Sequence, residues 1–395
     1  MDRSLNVSFI NSLCVENDAI SMAIRDEMAA LAGNPRICTK LFAYRCDIVD
    51  VAFIPVGSVG EIVFNRHFQT SDVVIAHFGV RYPLFNVLPL SPRKAAKLVV
   101  FHNVTPKAHS PRSTHDAVDV SLRQISNAQW ADHVICDSAT NLEALRGAGV
   151  NTPASILPLA THISTIPPME KPSFKDGIVR FVFIGRFVRS KGVTDLLQAI
   201  ATVLESGDVV NLRLDLIGNT EFSSPQILER ILSKIDELRH GYGARLSIDL
   251  IANASENTKE EILRRADIFV LPTYHEGFCV PILEAIAAGC QVITYDNTNT
   301  ASVSGGLATL VATGDIEQLS EAIHDATLRS RSAPWQGRGP ESYGSYANRG
   351  REHINSYRPE VVQARFREFV VPFALAHVRR SSASLSSSRK ASENR

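Results

Sequence analysis

The sequence of 395 residues predicts an α/β protein with two domains, each a doubly wound parallel sheet. Three observations support this prediction: short apolar runs recur, amphipathic helical patterns separate them, and a proline-containing break divides the chain. Runs this short and apolar are typical of parallel strands that are buried on both faces. The runs are Val73–Phe78, Leu98–His102, His133–Ser138, Val179–Gly185, Leu212–Gly218, Leu246–Ala252, Ile268–Thr273 and Gln291–Asp296.

Helical patterns lie between these runs. Asp18–Ala32 and Lys191–Ser206 each place their apolar residues on one stripe at helical spacing. Because strands that alternate with helices form βαβ units, each half of the chain is predicted to be Rossmann-like.

The break lies at residues 162–177, where the three prolines and the lack of a clear period indicate a linker. We therefore predict an N-terminal domain at residues 1–165 and a C-terminal domain at 166–345. A helical return region follows at 346–376, in which Pro372 is expected to kink or end the helix. The serine-rich, basic residues 377–395 are expected to be disordered.

The composition excludes several classes of protein. A formal net charge of zero does not indicate a nucleic-acid partner, and none of the six cysteines forms a C-x-x-C pair. We therefore expect reduced structural thiols and no metal site. No segment approaches the ~20 apolar residues that span a bilayer. A cytoplasmic protein is expected, with peripheral contact at the inner face of the plasma membrane left open through its basic tail.

The segment HEGFCVPILEAIAA, residues 275–288, carries the strongest chemical signal. Glu276 follows a predicted strand, Pro281 suits the first turn of a helix, and Glu284 lies about one turn inside that helix. The backbone N–H groups of Gly277, Phe278, Cys279 and Val280 would point out of the helix N-terminus, which favours an anion such as a diphosphate. The alternative is a helix-capping acid and a solvated one, but the strand, loop and helix around the pair favour a binding site.

The segment FVFIGRFVRSKG, residues 181–192, opens the second half of the chain. Arg186 and Lys191 lie in one loop at the carboxyl end of a buried strand, where open α/β sheets bind their ligands. A cation at a helix N-terminus is unfavourable without an anion, which argues for a bound phosphate over two solvated side chains.

These two motifs, at this spacing, resemble the family 4 glycosyltransferases of GT-B fold, in which two Rossmann-like domains face a cleft. AHFGVRYPLF, LVVFHNVTP and HVICDSATNLEAL resemble the acceptor-side domain of a bacterial branch that builds surface polysaccharides. The resemblance covers roughly residues 5–325.

The resemblance implies a role for each matching residue. Arg186 and Lys191 would bind the donor diphosphate, Glu284 the ribose and Glu276 the transferred sugar, while His102 would reach the donor sugar as a second catalytic residue. It also implies retention of anomeric configuration, no metal and no cofactor beyond a GDP- or UDP-linked donor. The acceptor would be a glycan or lipid-linked molecule, and mannose is one candidate hexose.

Other residues have weaker signals. His77 ends the strand beside His102 and could line the same cleft, although a structural hydrogen bond is the default interpretation. Ser21 stands where the related branch has glycine and either lines the cleft or caps a helix. Cys279 has no basic partner near it in sequence except His275, so covalent thiol catalysis is not expected.

Three other functions remain to be weighed. A sugar epimerase of similar fold is one alternative. A glycogen-type phosphorylase would need a pyridoxal lysine, and no such motif is visible; a dehydrogenase is disfavoured because no G-x-G-x-x-G follows a strand. A catalytically inactive partner that binds nucleotide-sugar, or a scaffold subunit, is the alternative that we keep. The intact charged residues of both motifs argue against it.

Overall fold

A computed structural model describes residues 4–393 except Asn17, Pro111, Phe222 and residues 163–166 and 208–210; for residues 381–393 it describes the backbone alone. The chain forms two compact units. The N-terminal unit comprises Met1–Val104, Ser113–Ala160 and Pro359–Arg395, and the C-terminal unit comprises Thr105–Arg112 and Thr161–Arg358.

The N-terminal unit is built on a parallel sheet with strand order β5-β3-β1-β6-β7-β8-β9, beside a two-stranded sheet of β2 and β4. Its strands are β1 Leu5–Ile10, β2 Leu13–Cys14, β3 Ile37–Ala43, β4 Arg45–Cys46, β5 Phe53–Pro55, β6 Val73–Phe78, β7 Ala96–Phe101, β8 His133–Cys136 and β9 Ala154–Ile156. Its first helices are α1 Ala19–Ala32, α2 Val59–Val63, α3 Arg66–Gln69, α4 His115–Gln124 and α5 Ala139–Gly147.

The strands of this sheet are apolar on both faces because a core packs on each side. All residues of β6 are buried, with Val74, Ala76 and Phe78 in one core and Val73 and Ile75 in the other. This alternation follows from the two-residue period of a strand. It explains why the run Val73–Phe78 has no polar face.

The C-terminal unit has a second parallel sheet with strand order β12-β11-β10-β13-β14-β15. Its strands are β10 Val179–Ile184, β11 Leu212–Gly218, β12 Leu246–Ala252, β13 Ile268–Leu271, β14 Gln291–Asp296 and β15 Ala308–Ala312. Its helices are α6 Ser173–Asp176, α7 Val193–Glu205, α8 Pro225–Tyr242, α9 Glu256–Arg265, α10 Val280–Ala287, α11 Thr300–Ser304, α12 Ile316–Arg331, α13 Ala333–Gln336 and α14 Tyr343–Ile354.

Short 3-10 helices connect several of these elements. They lie at Pro83–Leu90, Lys107–His109, Arg112–Thr114, Ile125–Trp130, Arg189–Lys191, Gly243–Arg245 and Asn355–Tyr357. The strand order reverses between β10 and β13 in the C-terminal unit and between β1 and β6 in the N-terminal unit. Open α/β sheets bind ligands outside the carboxyl ends of strands at such a reversal.

The last helix of the chain, α15 at Pro359–Glu393, belongs to the N-terminal unit and corrects two expectations. The helix continues through Pro372, so the proline does not end it, and the expected kink stays a prediction. Val370 and Ala374, on either side of the proline, are buried in the same core as Val73 and Ile75. Residues 377–393, expected to be disordered, continue the helix, because no glycine or proline follows Pro372 to end it. Asn394 and Arg395 lie outside the described residues, and membrane contact stays a prediction.

The unit boundaries also differ from the expected ones. Part of the predicted return region, residues 346–358, lies in the C-terminal unit, because Tyr346 is buried there and donates a hydrogen bond to the carbonyl of Cys290 at 2.7 Å. The segment Thr105–Arg112, predicted in the first domain, also groups with the C-terminal unit. Much of the linker predicted at 162–177 is described, and it contains α6. Among the described residues, no helix is long and apolar enough to cross a membrane.

A buried lysine joins the ends of two helices in the C-terminal unit. Lys171 is 1% exposed, and its Nζ donates to the carbonyls of Arg264, at the end of α9, and Ala288, which caps α10, at 3.1 and 2.8 Å. The carboxyl end of a helix attracts a cation, and its last carbonyls need donors. Lys171 therefore fixes the position of α9 relative to α10.

We predict that Lys171→Met lowers the free energy of unfolding by about 2 kcal/mol, because two buried carbonyls lose their donor. Urea unfolding followed by circular dichroism measures the change. Lys175→Met is the matched control, since Lys175 is 78% exposed and pairs with the exposed Glu170. Equal effects of the two variants would contradict the assigned role.

Candidate functional site

The loops that follow β10 and β13 touch at the strand-order reversal of the C-terminal unit. The amide of Tyr274 donates to the carbonyl of Ser190 at 2.8 Å, and the Thr273 hydroxyl donates to the same carbonyl at 3.1 Å. Gly192 makes this approach possible, because a Cβ there would lie 1.9 Å from the carbonyl oxygen of Pro272, and its φ of +65° also suits glycine. The two predicted motifs are therefore adjacent.

One ion pair links the two loops. Lys191 Nζ donates to Glu276 Oε1 at 2.5 Å, with the side chains 17% and 8% exposed. The amide of Glu276 donates to the Thr298 hydroxyl at 3.0 Å, which holds the loop from its other side. Arg186, the other predicted cation, is exposed at the end of β10.

A second ion pair lies one turn into α10. Glu284 is 6% exposed, and its Oε1 accepts from Lys259 Nζ of α9 at 2.7 Å. Lys259 also contacts Glu256 at 2.8 Å. Burial lowers the pKa of Lys259, but the charges of Glu284 and Glu256 outweigh it and hold that pKa above its ordinary value. Sequence analysis missed Lys259, because a lysine in a charge-rich helix is usually solvated.

The turn into α10 has an unusual backbone. Cys279 precedes the helix with a φ of +79°, a left-handed conformation that is costly for residues other than glycine. Asn299 donates from Nδ2 to the buried carbonyl of Phe278 at 2.9 Å and supports the turn. Gly277, Phe278 and Cys279 thus lead directly into Val280, the first helical residue.

The Cys279 thiol is not activated as a nucleophile. Burial is the main reason that its pKa lies well above the ordinary value, and the nearby Glu276 adds to the effect. A buried, protonated thiol agrees with the expectation that Cys279 takes no covalent role.

Aromatic and histidine side chains surround the Glu276 loop. The hydroxyls of Tyr274 and Tyr295 both donate to Asp195 Oδ2 of α7, at 2.6 and 2.9 Å. The His275 ring is stacked on His109, with centroids 5.7 Å apart and planes at 13°. Burial lowers the pKa of His275 to about 4, so this ring is neutral at pH 7. Sequence analysis did not single out His109 or Asp195.

In the N-terminal unit, four ionisable side chains form a buried row at the carboxyl ends of β6, β7 and β8. His102 Nδ1 lies 2.8 Å from Asp137 Oδ2, and His102 Nε2 lies 2.9 Å from His77 Nδ1. His77 Nε2 lies 3.2 Å from Glu27 Oε2 of α1. The two histidine rings are stacked, with planes at 13°. Only the histidines had been predicted; Asp137 and Glu27 complete the row.

Burial and neighbouring charges shift the pKa values of the side chains in this row. Burial lowers the pKa of His102, but the Asp137 carboxylate outweighs it, so the net pKa of His102 is raised. Burial, with the charge of His102, puts the pKa of His77 well below its ordinary value. Burial also puts the pKa of Glu27 well above its ordinary value. The neighbouring Asp137 thus favours the protonated form of His102, whereas burial favours the neutral forms of His77 and Glu27.

Part of the chain is similar to known proteins. Residues 169–333 match the family described as glycosyl transferases group 1. The chain is 30% identical over 153 residues to D-inositol 3-phosphate glycosyltransferase of Corynebacterium jeikeium, which covers 37% of this chain and 36% of that protein. It is 28% identical over 154 residues to the capsular polysaccharide biosynthesis glycosyltransferase CapM of Staphylococcus aureus, which covers 37% of each protein. The matches thus span little more than a third of these relatives.

Solved structures resemble the whole chain. Sucrose-phosphate synthase from Thermosynechococcus elongatus has a TM-score of 0.72 at 16% identity and covers 94% of this chain and 100% of that one. WaaG, a glycosyltransferase involved in lipopolysaccharide biosynthesis, has a TM-score of 0.65 at 14% identity and covers 92% and 99%. The fold is GT-B. Identities this low show the fold alone.

Within this GT-B fold, the structure brings Lys191, Glu276 and Glu284 to neighbouring positions around the start of α10. It does not leave His102 open, because both of its ring nitrogens contact Asp137 and His77 and its side chain is 4% exposed. Contact with a sugar would require Nε2 to leave His77. The roles of all these residues stay predictions.

Ser21 is held by hydrogen bonds at the start of α1. It is fully buried, its hydroxyl donates to Asp18 Oδ2 at 2.7 Å, and it accepts from the amide of Val15 at 3.0 Å. Asp18 in turn caps α1 by accepting from the Ser21 amide. The residue that caps α1 is therefore Asp18, not Ser21 as one of the two interpretations held, and the Ser21 hydroxyl is engaged with Asp18 and Val15. Among the residues described, no group of three or more His, Cys, Asp or Glu side chains could hold a metal ion.

We predict that Gly192→Ala lowers the free energy of unfolding by about 3 kcal/mol or more, because the new Cβ collides with the Pro272 carbonyl. Gly177→Ala is the matched control, since Gly177 has a similar φ of +70° with open space around it. Its cost should be only about 1 kcal/mol. Thermal and urea unfolding measure both values, and equal losses would show that the collision has no effect.

We predict that Asp137→Asn lowers the pKa of His102 below its ordinary value of 6.5, because burial then dominates. Folding raises the pKa of His102, so the pair's contribution to stability is complete below the unfolded pKa and is lost as pH rises through the folded pKa. The variant should therefore lose more stability near about pH 6 than near about pH 9.

Histidine-selective NMR titration measures the pKa of His102 in the wild type and in the variant. The half-buried His133, on β8, should titrate unchanged, and an unaltered His102 would refute the pairing.

Proposed function

We propose that the protein is a glycosyltransferase that moves a hexose from a GDP- or UDP-linked donor to a glycan or lipid-linked acceptor in polysaccharide biosynthesis, with retention of anomeric configuration. The match to glycosyl transferases group 1 and the names of the two curated relatives support this class. The observation that carries it is the pair of buried carboxylate–lysine contacts, Glu276–Lys191 and Glu284–Lys259, around the start of α10.

In this proposal the donor binds along the C-terminal unit. The diphosphate lies against Arg186, Lys191 and the backbone N–H groups of residues 277–280 at the start of α10, where the helix dipole favours an anion. Glu284 accepts hydrogen bonds from the ribose hydroxyls, and Glu276 accepts them from the transferred sugar. Lys191 and Lys259 hold the two carboxyl groups in place, so little reorganisation is needed on binding.

The transfer exchanges one bond for another at the anomeric carbon. The bond from that carbon to the phosphate oxygen breaks, a bond to the acceptor oxygen forms on the same face, and the acceptor proton passes to the leaving phosphate. The charges of Arg186 and Lys191 stabilise the negative charge that develops on the diphosphate. The role that the resemblance implies for His102, a hydrogen bond to a sugar, requires Nε2 to leave His77.

We predict that one family of nucleotide-sugars raises the melting temperature of the wild type by roughly 5 °C at a hundredfold excess over Kd, because the ligand binds only the folded state. Glu284→Ala should lose this response, because the ribose loses its acceptor. Lys259→Met should weaken it, because Glu284 is then unpaired. Glu261→Ala is the control, since Glu261 is exposed on α9 and pairs with Arg265.

Turnover separates the transferase from an inactive partner. Release of nucleoside diphosphate with an added acceptor, unchanged by a metal chelator, is expected of the proposed enzyme. Binding without any release would favour the inactive nucleotide-sugar-binding subunit. If no nucleotide-sugar stabilises the wild type, the donor site proposed here is wrong.

A further inference from the structure

Cys14 and Cys46 lie opposite each other in the two-stranded sheet of β2 and β4. The register pairs Cys14 with Cys46 and Leu13 with Arg45. Two backbone hydrogen bonds hold the pairing, from the amide of Asp47 to the carbonyl of Cys14 at 2.8 Å and from that of Tyr44 to Ser12 at 2.9 Å. Neighbouring strands are about 4.8 Å apart, and paired residues project from the same face. This separation lies within the range of Cα distances, about 4.4–6.8 Å, that a disulfide spans.

The two thiols differ in access. Both are unpaired, Cys14 is fully buried, and Cys46 is partly exposed. The Cys46 thiol lies 3.6 Å from the carbonyl of Ile48. Burial, followed by the nearby Cys46, raises the pKa of Cys14 well above its ordinary value, so Cys14 is not the thiol that reacts first.

A bond between the two sulfurs would link two segments that follow strands of the N-terminal unit. Strands β2 and β4 directly follow β1 and β3, at the carboxyl ends of these strands. Cys14 also leads into the turn in which the amide of Val15 donates to the Ser21 hydroxyl, beside the cap of α1. A covalent link would therefore tie the segment before α1 to the segment after β3.

We propose that Cys46 and Cys14 form a reversible thiol-modification site, which a small disulfide such as glutathione disulfide converts into an intramolecular disulfide. The Cys46 thiolate attacks one sulfur of glutathione disulfide, which breaks its S–S bond and releases one glutathione thiolate. The Cys14 thiolate then attacks the Cys46 sulfur and releases the second. Two protein thiols are oxidised, one glutathione disulfide is reduced to two thiols, and the two protons pass through solvent to the released glutathione.

Under the proposed function, a disulfide at this site is expected to change the rate of glycosyl transfer. The disulfide restricts the segment before α1 at the edge of the sheet where open α/β proteins bind ligands. The helix α1 also carries Glu27, which contacts His77 in the buried row. Oxidation is therefore expected to slow transfer to the acceptor and dithiothreitol to restore it.

The test uses the full chain, equilibrated in glutathione buffers of increasing oxidised fraction and then alkylated. Intact mass and peptide mapping should show two fewer alkylated cysteines and a linked pair of peptides containing Cys14 and Cys46. Cys38→Ser is the matched control, because Cys38 is exposed on the neighbouring β3 and should not be needed. Cys46→Ser should abolish the link, whereas Cys14→Ser should retain one glutathione on Cys46.

Three results would overturn the proposal: Cys46 stays open to alkylation at every redox poise, the link involves Cys38, or glutathione remains on Cys46 in the wild type. If Cys14→Ser does not fold, Cys46→Ser alone decides whether the linked peptide depends on the pair. The mass measurement does not depend on activity. Absence of transfer in both redox states would therefore count against the proposed function and leave the result on the disulfide intact.

Discussion

The arrangement of the C-terminal unit depends on compensating two carboxylates that are almost completely buried. Glu276 and Glu284 are each 6% exposed, and an ionised carboxylate so placed is costly unless a cation pairs with it. Lys191 comes from the loop after β10 and Lys259 from α9, so three separate elements have to meet at the start of α10. The strand-order reversal between β10 and β13 brings the loop after β10 beside the loop after β13, and Gly192 lets the backbones of these two loops touch.

The N-terminal unit also buries ionisable side chains, but there histidines rather than lysines contact the carboxyl groups. Its buried row places His102 2.8 Å from Asp137 and 2.9 Å from His77, with Glu27 beyond. The pKa of His102 is raised by Asp137 against the effect of burial, whereas burial lowers the pKa of His77 and raises that of Glu27. The row therefore orients His102 through contacts at both of its ring nitrogens.

The sequence predicts most of the buried strands, because they are apolar on both faces: β6, β11, β12 and β14 have the predicted bounds. It does not predict β3, whose polar residues interrupt the apolar run, or β15, which lies at a sheet edge and is largely exposed. The candidate site follows the same division. Glu276 and Lys191 lie in recognisable motifs, but Lys259 and Asp137 become visible only when the fold brings distant elements together.

The starts of the helices provide a further argument for an anion site. Among the described residues of the C-terminal unit, the longer helices α8, α9, α12 and α14 are capped by serine or aspartate side chains. The helices α7 and α10 begin instead at Gly192 and Cys279, which make no side-chain cap hydrogen bond and have positive φ. Both lie in the touching loops. A side-chain cap would occupy the N–H groups that an anion needs, and a left-handed residue other than glycine persists only where its surroundings hold it. Asn299 supplies that support by donating a hydrogen bond to the carbonyl of Phe278. The turn before α10 is thus held in the left-handed shape in which, under the proposed function, its backbone N–H groups donate to a diphosphate.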